Sequence, residues 1–205
     1  NWTPRRWPLL EAERCFAEGH FSTDDGRARL IACAPPPDSR ASAALPLTLN
    51  SGRLRDQWHT MTRTGRAPML FSHRDEPFVE IAPLSAARLG LVQGGYARVR
   101  TATGEALVKV RFDDGLAEQA LFMPLHWTDR FTGRARVDAL VPALTDPHSG
   151  QPAFKHTPAM VEPWRPVWHA LLLGGMAPPA VPYWARVPIN ERHWRYQLAG
   201  GSMPD

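Results

Sequence analysis

The residue pattern predicts a mainly β fold with one or two short helices, its strands closing into a small barrel. Three observations carry this. Residues 96–112 read as a hairpin with strict in–out alternation. Further short strands, near 45–49, 78–82 and 119–124, are separated by Gly-, Pro- and Asp-rich turns. Only short helical stretches lie between them, and many short strands of this kind close best as a barrel.

Taken in order, Leu9–Glu18 is amphipathic and reads as a short helix after Pro8. Asp25-Gly26 makes a turn leading into a short strand that ends at Ile31. Ala34–Ser42, with three consecutive prolines, reads as a stiff extended linker. Residues 1–42 are therefore a lead-in segment and linker, and 43–165 the barrel domain. Leu45, Leu47 and Leu49 alternate along its first strand, and Phe78–Ala82 forms another. Ser85 caps a helix through Leu89 that Gly90 ends. Gly94-Gly95 turns the chain into Tyr96–Thr101, and Thr103-Gly104 turns it into Glu105–Phe112. Ala97 and Val99, with Ala106, Val108, Val110 and Phe112, mark the buried face; Arg98, Arg100, Lys109 and Arg111 mark a wet one. Gln119–Pro124 is a further strand. Residues 166–205, where Trp and Tyr residues sit among prolines and Gly174-Gly175, read as an extended tail anchored by its rings.

Composition sets bounds. With 205 residues, 43% hydrophobic and 21% charged, the chain can bury one substantial core. No apolar run approaches the roughly 20 residues that span a bilayer, so no membrane partner is expected. The net charge is only +4, with basic residues scattered and almost all arginine, which argues against nucleic acid. Cys15 and Cys33 show no metal-binding spacing and read as structural thiols of a reducing cytosol. The chain starts at Asn1 without an initiator Met and reads as a piece of a longer protein.

Residues 50–65 concentrate hydrogen-bonding groups beside two large rings. Gly52 lets backbone approach a ligand closely. Arg53 can fork onto phosphate oxygens, Trp58 and His59 can stack on a heterocycle, and Ser51, Thr60 and Thr62 supply hydroxyls. The set suits a nucleotide-like ligand with phosphates; a polar surface turn around one buried Trp is the alternative on composition alone.

Ser51-Gly52-Arg53-x4-Trp58-His59-Thr60 resembles the Thr/Ser-Gly-Arg-x4-Trp-His-Thr segment of molybdopterin oxidoreductases. That segment lies in their C-terminal, molybdopterin guanine dinucleotide-binding domain. Later stretches match in order: Glu76-Pro-Phe-Val-Glu-Ile81, Ala87-Arg-Leu-Gly-Leu91, Met123-Pro-Leu-His-Trp-Thr-Asp129, Arg136-Val-Asp-Ala-Leu140 and Asp146-Pro-His-Ser-Gly-Gln-Pro-Ala-Phe-Lys155. Within the family the likeness is to prokaryotic assimilatory nitrate reductases. It implies a double-psi β-barrel of the aspartate-decarboxylase type. It also implies cofactor contacts from Ser51, Gly52, Arg53, Trp58, His59, Thr60, His126 (or Trp127 beside it), Asp138 and Lys155. Asp138 stands where many relatives have Asn, and beside a pyrophosphate it would repel unless it accepts from ring N–H groups.

No catalytic or metal-ligating residue is expected in this chain. The eight histidines show no metal spacing, and His126 with Asp129 is a weak candidate for a catalytic dyad. The resemblance implies a molybdenum bis(molybdopterin guanine dinucleotide) centre reducing nitrate to nitrite in the intact, cytoplasmic enzyme. Its molybdenum-ligating cysteine and a 4Fe-4S cluster would belong to upstream domains, with an electron-donor protein or domain as partner. The fragment alone is then inactive. Rival readings are the same domain of a formate dehydrogenase, or a free-standing nucleotide- or nucleic-acid-binding barrel.

Overall fold

The computed structural model describes residues 16–32 and 42–202, apart from 148, 176 and 179. The expected helix over 9–18 and the proline-rich linker fall almost entirely outside the described residues, and both cysteines lie outside them. The lead-in segment forms its own unit. Its Asp25-Gly26 turn is present: Phe21 N–H donates to Gly26 O at 2.8 Å, and Gly26 sits at φ +68°. The strand expected to end at Ile31 does not form. Leu30 and Ile31 are 96% and 80% exposed, and an apolar pair with no ladder partner has nothing to bury against.

From residue 47 the chain builds a closed barrel. Its strands are β1 (Leu47–Gly52), β2 (Phe78–Ile81), β3 (Tyr96–Arg100), β4 (Glu105–Phe112), β5 (Ala120–Pro124) and β6 (Thr157–Trp164), with helix α1 (Pro83–Arg88) after β2. Around the barrel the order is β1-β5-β2-β4-β3-β6, closed by β6 on β1. β1 runs parallel to β5 and β2 parallel to β4, while the other pairs are antiparallel. This is the mainly β, closed-barrel class that the pattern predicts. Ala97, Val99, Ala106, Val108 and Val110 are at most 1% exposed and fill the interior with Leu49, Ile81 and Leu121.

Helix α1 starts three residues earlier than expected, with Ala82 and not Ser85 at its N-cap. Pro83 takes the first helical position, where its missing N–H costs nothing. Ser85 lies inside the helix, and its hydroxyl donates across to Glu118 O at 2.6 Å. Gly90 closes the helix at φ +68°, the left-handed conformation expected there.

The described residues between Trp168 and Gly200 differ from the extended tail that the sequence suggests for 166–205. They form a second, three-stranded antiparallel sheet: β7 (Trp168–Gly174), β8 (Tyr183–Pro188) and β9 (Trp194–Gly200), in the order β7-β9-β8. Alternation is hidden because both faces of this sheet carry large residues. Trp184, Tyr196 and Leu198 cluster with Trp168 and Leu172 on one face. Tyr183, Ala185 and Ala199 on the other pack onto Leu107 of β4, with Tyr96 and Trp164 beside them. The outer face of the β3–β4 hairpin is thus not wholly wet, since Leu107 is 1% exposed under the second sheet.

A buried carboxylate spans the two layers. Tyr183 Oη donates to Glu76 Oε2 at 2.7 Å, and Lys109 Nζ lies 4.0 Å from Glu76 Oε1. Burial pushes the Glu76 carboxyl above its ordinary value of 4.5, more than Lys109 and Tyr183 pull it back. The folded state therefore favours protonated Glu76. Its contribution to stability is fully present below pH 4.5 and is lost as pH rises through the raised value. Glu76→Gln, which keeps an acceptor for Tyr183, should raise the melting temperature at pH 7. That advantage should shrink as pH falls toward 4.5, as calorimetry across this range would show; a pH-independent difference would count against a buried charge here.

Candidate functional site

Strand register gathers every candidate site residue at one end of the barrel. Gly52 is level with Pro124, Leu49 with Thr157, and Arg100 with both Glu105 and Met160. The C-terminal ends of β1, β3 and β5 thus meet the N-terminal ends of β2, β4 and β6. Ser51–Thr60 follow or end β1, His126 follows β5, and Lys155 precedes β6. Asp138 lies in a three-ten turn, Val137–Leu140, packed on the β3–β4 turn. That packing is close: Thr101 Oγ1 donates to Leu140 O at 2.7 Å, and a Cβ on Gly104 would stand 2.6 Å from Ala139 O.

The end of β1 is laced to residues some hundred positions away. Ser51 is 2% exposed, and its hydroxyl donates to Phe154 O at 3.0 Å. His156 N–H donates to Asn50 Oδ1 at 3.0 Å, and Lys155 Nζ donates to Ser51 O. Gly52 answers to packing. Its φ is outside the left-handed region, but a Cβ there would stand 2.8 Å from the Phe122 ring. Its missing side chain admits this ring.

His126 organises the following loop. It is fully buried; Nε2 accepts from Leu54 N–H at 2.7 Å, and Nδ1 donates to His59 O at 2.6 Å. One acceptor and one donor define a neutral imidazole with its proton on Nδ1. Burial lowers its pKa below 6.5, more than the His59 carbonyl raises it, and the nearby Arg53 charge lowers it further. Both nitrogens are spent on the loop, so His126 shapes the site from beneath. It does not pair with Asp129, which binds Arg136 Nε at 2.9 Å. Trp127 is equally buried, in the cluster of Met61, Phe71, Phe78 and Phe131.

The turn above His126 is tight. His59 and Met61 have φ of +44° and +59°, a conformation costing about 1–2 kcal/mol for each non-glycine residue. The turn persists because its ends are fixed: His126 grips the His59 carbonyl, Trp58 N–H donates to Thr64 Oγ1 at 3.3 Å, and Met61 is fully buried. The consequence is an outward display. Trp58 is 55% exposed, with the Arg53 guanidinium 5.6 Å from its ring centre and His59 edge-on to it at 4.6 Å. Thr60 is exposed beside them.

Among the described residues Arg53 has no carboxylate partner. Asp56, the acid nearest in sequence, is taken by Arg55 at 3.0 Å and His73 at 2.7 Å, and the Arg55 bond foremost holds its pKa below the usual carboxylate range. An uncompensated guanidinium on an open indole, with Lys155 at the same barrel end, fits a polyanion carrying a heterocycle. Asp138 is exposed, 3.9 Å from Arg136 Nε, and no hydrogen bond or ion pair joins it to the loop. Ser51, Gly52 and His126 thus shape this end of the barrel; Arg53, Trp58, His59 and Thr60 are exposed on it, and Lys155, also exposed, is bonded back to Ser51 O. Asn50, Met61, Phe122 and Phe154, whose roles are backbone or packing contacts between distant segments, carry no signal of those roles in the sequence. Among the described residues no group of three or more His, Cys, Asp or Glu side chains is placed to hold a metal ion.

Comparison with known proteins bears on this site. Residues 47–158 match the family described as "Molydopterin dinucleotide binding domain". A nitrate reductase of Klebsiella oxytoca is 42% identical over 199 residues, 97% of this chain and 22% of the relative. The F420-dependent formate dehydrogenase 1 subunit alpha of Methanococcus maripaludis is 30% identical over 156 residues, 76% of this chain and 22% of the relative. The assimilatory nitrate reductase catalytic subunit of Bacillus subtilis is 28% identical over 157 residues, 73% and 21%. The chain therefore spans about a fifth of the length of these curated relatives. Acetylene hydratase from Pelobacter acetylenicus superposes with a TM-score of 0.51 at 19% identity, over 58% of this chain and 18% of that one, a likeness of fold.

Replacing His126 by Phe should leave the barrel folded and loosen residues 54–60, because it strands a buried Leu54 N–H at a cost of about 1–3 kcal/mol. In the native protein the lowered pKa makes the imidazole's contribution present above pH 6.5 and lost as pH falls below it. Hydrogen exchange at Leu54 should accelerate in acid relative to β3 amides; acid-insensitive protection would contradict the assignment.

Proposed function

This chain belongs to the molybdopterin dinucleotide-binding domain family, and we propose that it forms the cofactor-gripping domain of an assimilatory nitrate reductase. The cofactor is a molybdenum bis(molybdopterin guanine dinucleotide); bound in the intact enzyme, it supplies the two-electron chemistry that takes nitrate to nitrite. The observation that carries this reading is the Arg53–Trp58 display on a loop stapled by buried His126. The 42% identity to a nitrate reductase over 97% of the chain supports it further.

Each residue of this chain has a physical task. Arg53 and Lys155 neutralise and orient phosphate oxygens, which cannot be buried unpaired. Trp58 and His59 give a flat surface and an edge to a ring, and Thr60 adds a hydroxyl. Ser51, Gly52 and His126 hold this array in place, because cofactor chemistry depends on how the protein sets the reacting group. Asp138 accepts from guanine or pterin N–H groups at the rim. The molybdenum ligand, a 4Fe-4S cluster and the contact with the electron donor come from other parts of the enzyme. That enzyme works in the cytoplasm, and residues 1–205 alone do not reduce nitrate.

Formate dehydrogenase is the second reading, supported by 30% identity to the archaeal alpha subunit. Assay of the full-length protein with nitrate and with formate separates the two: nitrate turnover without formate oxidation is expected, and the reverse would overturn the substrate assignment. Replacing Arg53 by Ala should weaken cofactor retention about 10- to 100-fold, the scale of one or two charge-assisted hydrogen bonds. Molybdenum and pterin content of the purified variant measures this, and an undiminished content would remove Arg53 from the site.

A further inference from the structure

At the opposite end of the barrel the second sheet overhangs. The inward-facing residues of β8 and β9, Tyr183, Ala185 and Ala199, are at most 1% exposed against the barrel. Their cross-strand counterparts on β7, His169 and Leu171, extend past it. Leu171 and Leu173 are 58% and 61% exposed. Beneath this overhang lies a cleft of about 480 Å³, bounded by the Gly90–Gly95 turn, Tyr96, Trp164, Arg165, His169 and Gln197. Tyr96 and Trp164 are paired at the start of β3 and the end of β6, which places the cleft away from the Arg53 loop.

Three features describe what this cleft takes. Its walls continue into an open apolar surface: Leu171 lies across from Gln197, and Val92 on the facing turn is 65% exposed. The outer edge of β7 has no strand partner among the described residues, so its N–H and C=O groups are available to another chain segment. Finally, Arg165 has no carboxylate partner among the described residues, while Lys109 already has Glu76 near it and Tyr96 under its ammonium at 3.8 Å. An apolar groove, an open strand edge and an uncompensated guanidinium together match an extended apolar segment that carries a carboxylate.

We propose that this cleft docks such a segment from another part of the same polypeptide. Two observations choose that occupant. The matched relatives are about three and a half to four and a half times as long as this chain, so most of their length lies beyond the aligned domain. The cleft also lies at the end away from the cofactor loop, so a segment held here tethers the domain without entering the cofactor site. The inference rests on this chain being one domain of a longer enzyme and is independent of which substrate that enzyme reduces.

A photo-crosslinking residue at position 171 of the full-length protein tests the proposal, with position 144 as control, since Leu144 is equally open at 61%. The expected result is a dominant cross-link from position 171 to an Asp- or Glu-containing peptide outside residues 1–205, and none from 144. Arg165→Glu should lower its yield about tenfold or more. Hydrogen exchange offers a second readout: amides of residues 170–174 should be protected in the full-length protein. Cross-links to a second copy, resolved by isotope mixing, would overturn the proposal. So would cross-links to residues 1–42, or position 171 behaving like 144 with open-edge exchange. Failure of the nitrate assay leaves all these outcomes unchanged.

Discussion

One buried imidazole holds the functional end of this barrel together. His126 joins the Leu54 N–H to the His59 carbonyl, tying the two ends of a loop that by itself has little reason to keep its shape. The loop carries left-handed backbone at His59 and Met61, and unsupported it would relax. With both imidazole nitrogens engaged, Arg53 and Trp58 are presented together and His59 stands edge-on beside them. Orientation is thus set from inside, by a residue that never needs to meet a ligand.

The barrel makes that bond possible. β1 and β5 run parallel, so the segments leaving their C-terminal ends emerge side by side, and His126 can reach beneath the loop that follows Gly52. Phe122 uses the room left by that glycine, and the Asn50–His156 and Ser51–Phe154 bonds fix the neighbouring approach to β6. The second sheet braces the barrel from outside through Leu107, Tyr183 and the buried Glu76 carboxylate. It leaves the Arg53–Trp58 end to the loops and opens a cleft at the other.

Much of this was legible in the residues. The β3–β4 hairpin could be read because Ala97, Val99, Ala106, Val108 and Val110 alternate against arginines and a lysine. The Arg53–Trp58–His59 cluster stood out as more donors and rings than a connecting turn needs. Three things were not legible. Ser85 looked like a cap, but Pro83 provides the helix start. The second sheet lacked alternation because rings occupy both of its faces. His126 could be placed in a motif, but its bonds to partners 67 and 72 residues away could not be read from it. Such contacts leave no periodic trace.

The most direct measurement is a structure of the full-length protein with its pterin dinucleotide bound. The Arg53 guanidinium should lie within about 3 Å of a phosphate oxygen, with Trp58 against a ring and both His126 bonds intact. A loop facing open solvent, with the phosphates held elsewhere, would contradict the central assignment.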